Sequence, residues 1–313
     1  MKERILTGVF IALIISFAFL FREFTLYVFD ALVLLLATYS AFEFSKLLSK
    51  CNLYNNKIII MIYPALAYCL FLISMLTKLD FYISFVIQAG LLLLLVIGMF
   101  LLGLILKRKT ENEIKTRNLN LRLDKFALYK SVHTLFGLLY PTVLLLPLFI
   151  INHLGEIGIY TNSNSNLLSL TVLIFAVLIP VITDVFCMLG GILFKGKKLC
   201  PKLSPNKTIS GAISGIVFSV IICASLFLVL NATTSFGQLF TDINLQFWHI
   251  IVLSIIASVF CQCGDLFESF VKRRANVKDS GNLLPGHGGV LDRIDSHLFC
   301  YVVVLIFFVI ILV

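Results

Sequence analysis

Charge is scarce in this chain: Asp, Glu, Lys and Arg make up 13% of its 313 residues, where a soluble protein of this size carries about a quarter. That excludes an ordinary water-soluble domain. Cysteines at metal or redox spacing are missing too. The eight that occur (Cys51, Cys69, Cys187, Cys200, Cys223, Cys261, Cys263 and Cys300) are scattered, mostly inside apolar runs, with no CxxC pair. Cys261 and Cys263 would point to different sides of a helix. They read as small buried hydrophobes rather than zinc ligands or disulfide partners. No GxxxxGK[ST] loop occurs, which excludes a Walker-type nucleotide site. The N-terminal stretch lacks a small-residue cleavage site, so a retained first helix is expected rather than a cleaved signal peptide. The weak alternating segments of about ten residues that mark a transmembrane β-barrel are absent as well.

What the chain has instead is length and grease. Hydrophobic residues make up 60% of it, with 29 Phe, and several apolar runs exceed the roughly 18–20 residues that cross a bilayer core of about 30 Å. The fold class expected is an all-α polytopic integral membrane protein. Its nine transmembrane helices fall near 5–21, 27–43, 58–76, 82–106, 131–152, 166–194, 209–231, 247–268 and 298–313. With the N-terminus in the cytoplasm and the C-terminus external, all of the 25 Lys and Arg except Arg22 and Lys78 fall on the cytoplasmic side, as the positive-inside rule asks. The net charge of +9 then sits where anionic headgroups attract it, and no nucleic-acid partner is needed. The mixed-charge loop 107–130 reads as a solvated or lipid-contacting segment with room for a short interfacial helix. TNSNSN at 161–166 reads as an external loop. The first four spans show few polar interior residues. The chain therefore divides into 1–130, membrane helices with a basic cytoplasmic loop, and 131–313, a membrane domain that carries the chemistry.

Three polar clusters lie in that second part. Asp184 sits inside the sixth span, four residues after the helix-disrupting Pro180, where a charge costs at least about 2.5–3.5 kcal/mol and is rarely kept without use. Gly190 and Gly191 follow it and allow close packing or a ligand's approach. The stretch 195–215 has a turn expected at Ser204-Pro205, then Lys207 beside a helix start that Thr208 or Ser210 can cap. Free N–H groups with a lysine nearby form a natural phosphate site, and Gly211 and Gly215 suit tight helix packing. In the third cluster Asp265 and Glu268, and again Asp292 and Asp295, stand at i, i+3 on one helix face. Acids that converge at a membrane surface need a cation among them, and oxygen donors suit Mg²⁺ rather than zinc. Lys272, Arg273, Lys278 and Arg293 would then face a substrate's anionic oxygens, and the loop around His287, Gly288 and Gly289 lets backbone approach a ligand closely. Acids for a metal beside bases for phosphates point to phosphoryl or nucleotidyl transfer.

The run SFVKRRANVKDSGNLLPGHGGVLDRID, Ser269 to Asp295, resembles the signature of phosphatidate cytidylyltransferases (CDP-diacylglycerol synthases). Ser269, Lys272, Arg273, Lys278, Asp279, His287, Gly288, Gly289, Asp292, Arg293 and Asp295 match that pattern. Ser204, Pro205, Lys207 and Thr208 resemble a preceding segment, and Asp184 the acid that opens an earlier one. Asn206, Ser210 and Phe186–Met188 depart from the pattern. The resemblance implies an enzyme that condenses CTP with phosphatidic acid to CDP-diacylglycerol and pyrophosphate. It implies Mg²⁺, with a second cation and a homodimer left open, and a multi-pass plasma-membrane location with the active site on the cytoplasmic face. Catalysis would fall to Asp265, Lys272, Arg273, Lys278, Asp279, His287, Asp292, Arg293 and Asp295. Substrate would be held by Ser204, Lys207, Thr208, Ser269, Gly288 and Gly289, and metal by Asp265, Asp292, Asp295 and Asp184. A CTP-dependent kinase of a polyprenol-type lipid is the nearest alternative. A transporter fits less well, because the polar residues gather on one face and in one half. Reporter fusions after residues 160 and 240 are predicted to give an external signal, and a cytoplasmic signal at either would contradict this threading.

Overall fold

The computed structural model describes residues 2–79, 81–117, 119–157, 164–284, 286 and 288–312. In chain order the helices are α1 (Lys2–Arg22), α2 (Leu26–Lys50), α3 (Lys57–Leu76), α4 (Phe81–Ile105), α5 (Lys107–Thr116), α6 (Leu123–Leu138), α7 (Leu144–Asn152), α8 (Ser165–Phe194), α9 (Ile209–Asn231), α10 (Thr234–Asp242), α11 (Phe247–Arg274) and α12 (Leu291–Leu312). Two short strands, β1 (Lys198–Cys200) and β2 (Ser204–Thr208), pair antiparallel between α8 and α9. A π-helical turn at Leu139–Val143 joins α6 and α7 into one span. Among the described residues eight helical segments are long and apolar enough to cross a membrane, and α1 adds the shorter apolar stretch Leu13–Arg22. The chain is an all-α, multi-pass membrane protein, with apolar helices at each of the nine places expected.

Local chemistry starts several of these helices where the apolar runs begin. Asn56 accepts from the Ile59 amide at α3, and Thr208 from the Gly211 amide at α9, each satisfying an N–H that the first turn leaves open. The apolar faces then pack helix on helix. The tightest seam lies between α8 and α9. A Cβ at Gly211 would strike the Cys187 carbonyl, and one at Gly215 the Cys187 sulfur, so the two helices approach as small residues permit. Phe44 of α2, Tyr140 and Phe267 of α11 carry the core across the molecule, with ring centroids 4.7 and 4.9 Å apart. The eight cysteines are all unpaired.

The structure departs from the sequence reading in four places. Ser204-Pro205 does not form the turn; it opens β2, and Pro201–Leu203 makes the reversal. A proline is tolerated there because each strand of a two-stranded ribbon has an unpaired edge. The polar ends of α11 and α12 stay helical well beyond their apolar runs, to Arg274 and from Leu291. The loop 232–246 contains α10, whose Phe236, Leu239 and Phe240 share a face that packs on the core. Most of the TNSNSN segment lies outside the described residues.

The fourth departure concerns the first four spans, which are less purely apolar inside than expected. On α2, Asp30 and Glu43 are both buried. Asp30 accepts hydrogen bonds from Tyr68 Oη (2.8 Å) and Asn152 Nδ2 (2.8 Å) and lies 2.7 Å from His153 Nε2, while Arg22 Nε donates to Asn152 Oδ1 at 2.8 Å. Burial alone would lower the pKa of His153, but Asp30 and Glu156 raise it on balance. Such an acid is affordable in the interior because α3, α7 and the residue that caps α7 supply its partners.

The α8–α9 seam makes a direct test. Gly211→Val should lower the thermal midpoint of the detergent-solubilised protein by several degrees, on the order of 1–3 kcal/mol of overpacking. Gly98→Ala, at a position where a Cβ meets nothing within 4 Å, should not. Equal midpoints for the two variants would refute close contact at this seam.

Candidate active site

The polar ends of α8, α9, α11 and α12 come together where the β1–β2 ribbon closes over them. The ribbon is pinned to α9 by Ile209 N donating to Lys197 O at 2.8 Å and to α11 by Arg273 Nε donating to Leu203 O at 3.2 Å. Lys207, the residue before the cap of α9, forms an ion pair with Asp265 of α11. Both side chains keep about a quarter of their surface open, 25% and 30%. Ser269, one turn further along α11, donates to Asp265 Oδ1 at 3.5 Å.

A second and deeper ion pair stands beside it. Lys272 Nζ lies 2.8 Å from Glu268 Oε2 and 2.7 Å from Asp292 Oδ1. Glu268 is fully buried, and its Oε1 has no hydrogen-bond partner. Its carboxyl lies against that of Asp295, itself 8% exposed. Two buried carboxyl groups in contact repel unless a proton or a cation lies between them. The other oxygen of Asp292 is committed to the loop before α12, accepting from Ser280 N (2.8 Å), Ser280 Oγ (2.9 Å) and Gly289 N (2.8 Å). Asp292 is therefore saturated by protein donors.

On the other flank, Asp184 of α8 accepts from Ser296 Oγ of α12 at 2.7 Å. It keeps an exposed face and shares its surroundings with Asp295, Asp265 and Lys207. Asp184, Asp265, Asp295, Glu268 and Asp292 are thus gathered at one end of the bundle with Lys207 and Lys272 among them. No three of His, Cys, Asp or Glu among the described residues form a ready-made metal cluster. The donors nevertheless suit a hard cation: all are carboxylates, one buried oxygen is unpartnered, and two carboxylates keep open faces.

The remaining expected residues lie around these ion pairs, apart from His287. Thr208 caps α9, with Ser210 3.2 Å from it and holding Gly196 N at 3.1 Å. Ser204 lies in β2 beyond the Lys207–Asp265 pair. Arg273, Lys278, Asp279 and Arg293 are exposed at the rim. Gly288 takes φ +83°, a conformation glycine adopts without penalty, and its carbonyl accepts from Leu284 N at 2.9 Å. His287 lies outside the described residues.

The structure also adds a residue that sequence reasoning missed. Glu43, 2% exposed, reaches from α2 to this site and accepts from the Leu291 amide at 2.8 Å, with Ser280 Oγ at 3.3 Å. A glutamate at the very end of the second apolar run, 27–43, was the available signal.

Comparison with known proteins follows the same lines. A phosphatidate cytidylyltransferase of Staphylococcus saprophyticus is 41% identical over 127 residues, which is 41% of this chain and 45% of that protein. One of Rickettsia prowazekii is 37% identical over 163 residues, 51% of this chain and 68% of that protein. The chain thus spans a little under half the length of the staphylococcal relatives it matches. The sequence model of the cytidylyltransferase family runs across residues 2–311, and the chain belongs to that family.

Proposed function

We propose that the chain is a phosphatidate cytidylyltransferase, joining CTP to phosphatidic acid to give CDP-diacylglycerol and pyrophosphate at the cytoplasmic surface of the plasma membrane. The observation that carries this reading is the convergence of its acids and lysines. Residues from three segments far apart in sequence meet at one end of the helix bundle, and at a membrane surface a water-soluble nucleotide and a lipid headgroup could share such a place. Residues 131–313 hold the chemistry, and 1–130 serve as scaffold and as a basic, lipid-facing loop.

In this reading a phosphate oxygen of phosphatidic acid attacks the α-phosphorus of CTP. The bond from that phosphorus to the β-bridging oxygen breaks, and pyrophosphate leaves with the electron pair. No covalent enzyme intermediate is required. Lys207, beside the positive N-terminal end of α9, would hold triphosphate oxygens. Lys272 and Arg273 would meet the charge that develops on the departing pyrophosphate. Asp184, Asp265 and Asp295, with the unpartnered oxygen of Glu268 behind them, would hold Mg²⁺. When bound, it would neutralise the charge shared by attacking and leaving oxygens. Asp292 could join that set once Lys272 turns from it toward substrate. Until then it organises the loop.

The position of a label in CTP tests the reaction. With purified protein, phosphatidate and Mg²⁺, label on the α-phosphate should move into lipid and label on the γ-phosphate should leave as pyrophosphate. Label from the γ position in lipid would establish a CTP-dependent kinase instead. The lysines should then divide binding from chemistry. Lys272→Ala should lower kcat about 100-fold or more, and Lys207→Ala should chiefly raise KM for CTP about tenfold. Equal kcat losses would refute that division.

A further inference from the structure

Glu43 lies in α2, far in sequence from every segment that makes the site, yet its carboxylate is enclosed by the loop that leads into α12. Its Oε2 accepts from Leu291 N, the first amide of that helix, at 2.8 Å. The Ser280 hydroxyl stands 3.3 Å from the same oxygen and 2.9 Å from Asp292 Oδ2. One serine therefore connects a carboxylate on α2 with the carboxylate that Lys272 clasps. The Val290 amide also faces the Glu43 carboxylate, whose Oε1 is fully enclosed, wedged against Gly281 and Gly289, where a Cβ on either residue would overlap it.

A side chain kept for packing alone would not be an acid here. Burying a carboxylate carries a desolvation penalty, and a leucine would fill the same space without it. What the carboxylate provides is an acceptor for the amide that begins α12 and a fixed wall for the glycine-lined loop. The opening turn of α12 and the residue after it carry Asp292 and Asp295. A shift of that turn would move both acids relative to Asp265 and Lys272 on α11.

We propose that Glu43 is a positioning residue, which fixes the start of α12 and the loop 280–291 so that Asp292 and Asp295 face α11 in working geometry. It does not touch substrate; it acts through Leu291, Ser280 and the packing of Gly281 and Gly289. The kinetic part of this proposal rests on the cytidylyltransferase reading, and the structural part stands without it.

Two measurements on the full chain in lipid nanodiscs decide it. In hydrogen exchange of the substrate-free protein, Glu43→Ala should speed exchange of peptides covering 280–291 about tenfold or more and leave α3, α4 and α9 unchanged. In turnover with CTP, phosphatidate and Mg²⁺, the same variant should lose kcat about 10–100-fold, the usual cost of removing a supporting partner, while KM for CTP changes less than about threefold. Glu43→Gln keeps an acceptor oxygen for Leu291 N and should recover most of both. Gly281→Ala, whose methyl fits only by displacing the Glu43 carboxylate, should reproduce Glu43→Ala and carries the test should the latter fail to insert. Wild-type exchange and kcat in Glu43→Ala or in Gly281→Ala would overturn the proposal, as would a Gln variant as impaired as the Ala variant. A wild-type protein without cytidylyl transfer would refute the reaction, and the exchange measurement would still decide the role of Glu43.

Discussion

Lys272 reaches across from α11 to hold Glu268 of its own helix and Asp292 of α12, and the rest of the site is arranged around that clasp. Its members lie where α11 and α12 press together, largely out of water, so each charge carries a desolvation penalty that only a close opposite charge offsets. With Lys272 in place, Asp292 can spend its second oxygen on three donors of the preceding loop. That loop then closes over Glu43, and α12 begins at a defined residue. Lys207 and Asp265 repeat the arrangement nearer the surface, with more of each side chain open and a correspondingly weaker hold. A bilayer enzyme that handles a polyanion has reason to keep lysines paired this way. In the cytidylyltransferase reading, the carboxylates would hold them at the site until phosphate oxygens compete for them.

The spans were legible in the sequence because hydrocarbon demands long apolar runs, and each expected run is a helix. The helix ends were less so. Residues 269–274 and 291–297 lie beyond the apolar runs 247–268 and 298–313, and the structure continues both helices through them. The ribbon at 198–208 was missed for a related reason, since a three-residue strand carries too little pattern to outweigh a Ser-Pro pair.

Within the site, the residues that belong to one local motif were visible and those that support it from afar were not. Asp292, Lys272 and Gly289 stand within twenty residues of one another and are read together. Glu43 is about 250 residues from Leu291, the amide it accepts from, and nothing near it in sequence announces the contact. Asp30 is the same case, with partners on α3, on α7 and at the residue that caps α7. A lone acid in an apolar span says that a partner exists, but the fold alone says which.

The charge balance around Lys272 is best tested by a double-mutant cycle in thermal unfolding, with Lys272→Met, Glu268→Gln and the two combined. Lys272→Met leaves Glu268 and Asp292 uncompensated, so it should lower the midpoint strongly. Adding Glu268→Gln should recover a large part of the loss, with a coupling of about 1–3 kcal/mol. Additive losses, with the double variant less stable than either single one by their sum, would contradict an account built on mutual compensation of buried charge.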